Sequence, residues 1–118
     1  MSKLAVVQSS PIFLDREQTI VKAVSLVADA AAKGAELIIF TEACIPTYPT
    51  WIWRLRPGSD WGINEELHAR LLQNAVDLDT DQLVPLYAAA KKHQVAIVCG
   101  MVERDSQLSR ATLYNTVV

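Results

Sequence analysis

Among the side chains of this sequence, Glu42 is the best placed to act as a base. It follows the apolar run Leu37-Ile38-Ile39-Phe40 and precedes the turn Pro46-Thr47-Tyr48-Pro49. An unbroken apolar run containing β-branched residues predicts a strand buried on both faces. The Pro-x-x-Pro turn then ends regular structure. In α/β proteins, ligands and catalytic groups collect where parallel strands give way to loops. A glutamate at such an end is positioned to take a proton from a nucleophile. The competing reading is a solvated loop glutamate, which any single strand-end carboxylate permits.

The other reactive residue types carry less. Cys99 ends an apolar stretch, where a free thiol behaves as a small hydrophobe. Cys44 stands nearer to Glu42, yet no histidine is close to it in sequence to activate it. His68 and His93 have no second ligand at metal-binding spacing, so the sequence gives no reason to expect a metal or any other cofactor. There is no glycine-rich phosphate loop and no Gly-x-Ser-x-Gly elbow. Trp51, Trp53 and Trp61 are suited to an apolar pocket, to an interface, or to the packing of a long loop. Arg54 and Arg56 read most simply as surface charges.

Composition narrows the class. The chain has 118 residues, 51% of them hydrophobic and 20% charged, which suits one small core rather than disorder. A formal charge of −2 with scattered basic residues gives no footprint for nucleic acid. No stretch approaches the length of a membrane span, and Met1-Ser2-Lys3 opens no signal peptide. Two cysteines without paired spacing fit a reducing compartment, so a cytoplasmic, soluble protein is expected.

These elements must position Glu42. Leu4-Ala5-Val6-Val7 predicts a first short buried strand. Asp15 with Gln18 three residues on predicts a helix start, and Gly34 a helix end. Ile20, Val24, Val27 and Ala31 mark its inner face. With the strand at Leu37-Phe40 this makes a βαβ unit, hence parallel strands. Thr50 to Ile63 reads as an ordered loop with room for a short turn of helix. Asn64 is expected to cap a helix through Leu72 that turns Leu67, Leu71 and Leu72 inward. Asp79 and Gln82 repeat the capping pattern before a helix ending near His93, with Leu83, Leu86, Tyr87 and Ala90 on its inner face. Val95-Ala96-Ile97-Val98-Cys99 predicts a third buried strand, followed by Gly100 and the polar run Glu103-Arg104-Asp105-Ser106. A fourth strand starts at Leu113.

In this order and spacing, the pieces resemble the N-terminal portion of the nitrilase superfamily of carbon–nitrogen hydrolases. The resemblance runs over residues 1–118. It rests on Ala5-Val6-Val7-Gln8, Ala30-Ala31-Ala32-Lys33-Gly34-Ala35, and Leu37-Ile38-Ile39-Phe40-Thr41-Glu42-Ala43. It continues in Val98-Cys99-Gly100-Met101-Val102-Glu103-Arg104 and Leu113-Tyr114-Asn115-Thr116-Val117-Val118. Ile45-Pro46-Thr47-Tyr48-Pro49 followed by Trp51-Ile52-Trp53 looks most like the nitrile-hydrolysing branch.

The resemblance implies part of a four-layer α-β-β-α sandwich, incomplete at its C-terminus, with an open sheet edge and an uncovered face. It makes Glu42 the catalytic base, with Tyr48 and Trp53 as substrate-binding candidates and a small nitrile or amide as substrate. Glu103 and Tyr114-Asn115 are implied to support the site, and the complete protein to be a homo-oligomer. The family's lysine, second glutamate and nucleophilic cysteine are expected beyond Val118, so these 118 residues alone are expected to be inactive. Thr41 stands where the family usually has proline, and Cys44 where an aromatic is common. The alternatives are an amidase or carbamoylase of the same superfamily, and a non-catalytic half-fold that pairs through its open sheet edge or apolar face.

Overall fold

The computed structural model of the chain describes residues 2–109 and 111–118. Strand β1 (Leu4–Val7) leads into helix α1 (Arg16–Ala32) and strand β2 (Leu37–Phe40). A short 3₁₀ turn at Thr50–Trp53 precedes helix α2 (Trp61–Asn74), and a second one at Asp81–Leu83 precedes helix α3 (Val84–His93). Strands β3 (Ala96–Val98), β4 (Gly100–Arg104) and β5 (Leu113–Val117) follow.

The strands form two sheets. In the first, β2 lies between β1 and β3 and is parallel to both, with Leu4 opposite Leu37 and Leu37 opposite Ala96. In the second, β4 and β5 are antiparallel, with Gly100 opposite Val117 and Val102 opposite Asn115. Only Cys99 separates β3 from β4. Its N–H donates to the Val118 carbonyl at 2.8 Å, and Val118 N–H donates back at 3.1 Å. The free edge of β4 is closed by Ile45 and Val76, whose backbones bridge to it. The result is a mixed α/β domain.

The first βαβ unit forms as its local signals direct. Asp15 caps α1, its carboxylate accepting from Gln18 N–H at 2.9 Å. At the other end Ala35 N–H donates to Ala30 O and Gly34 N–H to Ala31 O, with Gly34 at φ +84°. That double closure requires a left-handed residue, which glycine adopts without a Cβ clash.

Helices α1 and α3 cover one face of the parallel sheet. Ile20, Ala23, Val27 and Ala30 from α1 pack with Leu83, Leu86 and Ala89 against Ile38 and Phe40 of β2. Residues of alternate parity point the other way. There Leu37 and Ile39 are half-buried, while Leu4 and Val6 are exposed, Val6 at 70%. The strand expected to be buried on both faces is therefore fully covered on one face only. Among the described residues, β1 lies at an open edge of the parallel sheet.

Several local expectations need correction. On α1, Ile20 and Val27 are buried as expected, joined by Ala23 and Ala30, while Val24 packs half-buried against this core and Ala31 is only half-buried. Helix α2 starts at Trp61, so Asn64 lies within it instead of capping it. Asp60 stands at the cap position, but its carboxylate is held by the backbone and guanidinium of Arg56. Before α3, Gln82 accepts from Asp77 N–H and Asp77 accepts from Asp79 N–H, so Asp79 caps nothing. Tyr87 is exposed and Ala89 takes its place on the inner face. The stretch from Val95 to Cys99 forms a strand only over Ala96–Val98, and none of those three residues is fully buried. The polar run after Gly100 begins inside β4, where antiparallel pairing satisfies its backbone and Thr116 Oγ1 donates to Glu103 at 2.6 Å.

Candidate active site

Glu42 lies two residues past the end of β2, the central strand of the parallel sheet. The chain turns at once, with Ala43 in the left-handed region at φ +44°. That conformation costs a non-glycine residue about 1 kcal/mol or more, so packing must hold it. The packing comes from Gly100. A Cβ at Gly100 would lie 2.6 Å from Thr41 O, 2.8 Å from Ala43 N and 2.8 Å from Glu42 Cα. The start of β4 therefore passes directly against the Thr41–Ala43 backbone, at a distance only glycine permits. Ile45 N–H donates to Gly100 O at 3.4 Å and Val102 N–H donates to Ile45 O at 2.8 Å, which continues the contact along the loop.

The carboxylate itself is held from the second sheet. Asn115 Nδ2 donates to Glu42 Oε1 at 2.5 Å. Asn115 reaches it because β5 pairs with β4 in a register that sets Asn115 opposite Val102. Thus β4 anchors both the backbone of Glu42, through Gly100, and its side chain, through β5. Glu42 is otherwise exposed, as a proton acceptor that must meet a reactant has to be.

Beside this pair is a cavity of about 390 Å³, within the range of small-ligand sites. Ala43 and Asn115 line it and so connect it to Glu42. Tyr48, Trp51, Leu71 and Val102 form apolar walls. The Trp51 ring is 8% exposed and set edge-on against Phe13, with ring centroids 5.9 Å apart and planes at 80°. Asn64 and His68 of α2 supply polar wall. Of the two residues expected to bind substrate, Tyr48 lines this cavity. Trp53 is 76% exposed and forms no part of its wall.

Neither thiol is set up for attack. Burial pushes the Cys44 thiol above its usual range, opposed by a hydrogen bond with Thr41 and by the charge of Lys22. Burial pushes Cys99 further, to about 12, with the neighbouring Cys44 adding to the effect. At neutral pH both stay protonated, whereas the thiolate is the attacking species. The contact of Thr41 with Cys44 joins the two positions at which this sequence departs from the expected pattern. His68 and His93 lie on different helices, and no three His, Cys, Asp or Glu side chains among the described residues gather at a common point.

The profile of the carbon–nitrogen hydrolase family matches residues 3–118. The chain belongs to that family. An arylacetonitrilase of Aspergillus oryzae is 37% identical over 117 residues, covering 97% of this chain and 33% of the relative. An arylacetonitrilase of Fusarium vanettenii is 35% identical over 103 residues, 87% of this chain and 29% of the relative. An aliphatic nitrilase of Rhodococcus rhodochrous is 37% identical over 103 residues, 87% of this chain and 27% of the relative. The chain thus spans about a third or less of the length of these curated relatives. Among the described residues, no helix of this carbon–nitrogen hydrolase segment is long and apolar enough to cross a membrane.

Sequence reasoning missed three features of the site in this carbon–nitrogen hydrolase segment. Gly100 was visible as a glycine after a strand, a pattern that signals close backbone approach. The cavity roles of Asn64 and His68 follow from a helix that starts four residues earlier than a cap at Asn64 implies. Their spacing of four residues then sets them on one helical face.

Proposed function

We propose that this chain is the N-terminal part of a nitrilase, which converts a nitrile to a carboxylic acid and ammonia, and that Glu42 is its general base. The observation that carries the reading is the clasp of Glu42 by Asn115 at the mouth of an apolar cavity, in a chain of this family. The surrounding architecture in this reading is the four-layer α-β-β-α sandwich, of which the parallel sheet and its helical cover form one half.

The chemistry follows from what each group does. Glu42 takes the proton of a cysteine thiol, and the thiolate sulfur bonds to the nitrile carbon. The nitrile nitrogen picks up that proton, giving a thioimidate. Glu42 next takes a proton from water as its oxygen adds to the same carbon. Glu42 passes that proton to the nitrogen, the hydroxyl proton follows as the C–N bond breaks, ammonia leaves, and a thioester remains. A second water releases the acid and restores the thiol. Asn115 keeps the carboxylate oxygen aimed through these steps, which conserves orientation that would otherwise be lost at each one.

The nucleophilic cysteine and a lysine that stabilises the tetrahedral species are assigned to the portion of the relatives' length that this chain does not span. The buried, protonated state of Cys44 and Cys99 supports that assignment. It follows that the 118 residues alone do not turn over substrate.

The test is a chimera in which residues 3–118 replace the matching third of the Aspergillus oryzae arylacetonitrilase. Ammonia release from an arylacetonitrile, exceeding that from the corresponding amide, is the expected result. Release from the amide alone would move the assignment to the amidases. A folded, oligomer-competent chimera with neither activity would overturn it.

A further inference from the structure

The wall of the cavity contributed by α2 is not used by the reaction. Asn64 and His68 stand one helical turn apart, so their side chains share a face, and both line the cavity. The hydrogen bonds made by α2 side chains involve Trp61 with Glu65, and Asn74 with Arg70 and Arg16. Among the described residues, the Asn64 amide and the His68 imidazole are thus left free to meet a ligand. An amide can both donate and accept, an imidazole offers a ring N–H donor, and a hydroxyl group can pair with either.

The remaining wall sets the rest of the ligand. Trp51, Leu71 and Val102 are each less than 10% exposed and present flat apolar surface. Among the described residues, no Lys, Arg, Asp or Glu lines the cavity. A charged ligand group would give up hydration there with no such side chain beside it among the described residues, which disfavours it against an uncharged one. A volume of about 390 Å³ accommodates one aromatic ring with a short substituent at each end.

We propose that this cavity takes an uncharged aromatic nitrile bearing a hydroxyl on its ring, with Asn64 and His68 recognising the hydroxyl while the nitrile faces Glu42. The proposal rests on the reading of Glu42 as the base of nitrile hydrolysis, since Glu42 fixes which end of the ligand is which. Asn64 and His68 set specificity at the far end and touch none of the reacting atoms. A hydrogen bond that exchanges water for a protein partner raises affinity modestly, here by about threefold to tenfold.

The experiment is a ¹H–¹⁵N NMR titration of the 118-residue chain with 4-hydroxyphenylacetonitrile, phenylacetonitrile and 4-hydroxyphenylacetate. The expected result is a shift of the Trp51 indole and Asn64 side-chain signals, with the hydroxylated nitrile bound about threefold to tenfold more tightly than the plain one. The carboxylate should bind more weakly than either. Asn64→Leu and His68→Leu, whose side chains lie on a partly exposed helix face, should each reduce the hydroxyl preference, and together abolish it. Equal affinity for the two nitriles in the unmodified chain would overturn the proposal, as would a preference that survives both substitutions, or shifts confined to another surface. The two readings fail separately. A chimera that hydrolyses phenylacetonitrile without hydroxyl preference sinks this inference and keeps the base. A hydroxyl preference in binding without turnover by the chimera does the reverse.

Discussion

Asn115 Nδ2 donates to Glu42 Oε1 at 2.5 Å and so ties together two residues 73 positions apart. One belongs to the end of a parallel strand, the other to an antiparallel pair. Because Gly100 opens the strand against which Asn115's own strand is registered, the backbone and the carboxylate of Glu42 share one anchor. Orientation of a catalytic base to a fraction of an ångström is worth large factors in rate. In the proposed role of Glu42 as base, strand register supplies that orientation.

The clasp predicts a specific failure. In the active chimera, Asn115→Ala should lower kcat about tenfold, by letting the carboxylate swing away from the attacking atom. Since both partners are exposed, stability should move by no more than about 0.5 kcal/mol. Steady-state kinetics with a parallel urea titration separates the two quantities. Unchanged kcat would show that Asn115 does not position the base.

Gly100→Ala should destabilise the fold by about 1–3 kcal/mol, because a methyl group must displace the Thr41–Ala43 backbone rather than a flexible side chain. Ile38→Ala, which opens a cavity in the core, should cost about 2–5 kcal/mol. The two variants differ in where the damage falls. Amide shifts of Thr41, Glu42 and Ala43 should change more in Gly100→Ala than in Ile38→Ala, even though Ile38 lies on the strand that leads directly to them. Equal changes in both would remove the special role of Gly100.

The thiols give a pH prediction. Cys99 is raised to about 12 in the folded chain by burial and by Cys44, and Cys44 is raised by burial. The folded state therefore keeps protons that the unfolded state releases near its ordinary thiol value of 9.0. Their contribution to stability is fully present below pH 9 and is lost as pH rises toward 12. Urea midpoints measured from pH 8 to pH 11 should fall, and Cys99→Ala should flatten the fall. At pH 8, iodoacetamide should modify neither cysteine until the chain unfolds. Rapid labelling of the folded chain would contradict the burial argument.

How far the sequence disclosed this site depends on the range of each signal. Asp15, Gln18 and Gly34 act within a few residues, and they mark the ends of α1 correctly. The run Leu37-Ile38-Ile39-Phe40 marks β2, and Glu42 follows from it. Asp60 and Asn64 show where local rules stop. Both have the right chemistry for a helix cap, but a guanidinium four residues upstream takes the carboxylate of Asp60. The polar pair Glu103-Arg104 looks like loop, and only the pairing of β4 with β5 makes it strand. Trp51 and Trp53 are two residues apart in a 3₁₀ turn, and the position of Phe13 decides which one is buried. Contacts across many residues fix each of these outcomes, so no short window contains them.

The most direct test of the central claim is Glu42→Gln in the chimera with the Aspergillus oryzae enzyme. Glutamine keeps the size of the side chain and still offers Asn115 a carbonyl oxygen, but it is not a base at neutral pH. With Glu42 as the base, kcat should fall by about 10²–10⁴-fold with an unchanged urea midpoint, the usual scale for removing a general base. Turnover within a few-fold of the unmodified chimera would contradict it and reduce Glu42 to a solvated residue at the end of a strand.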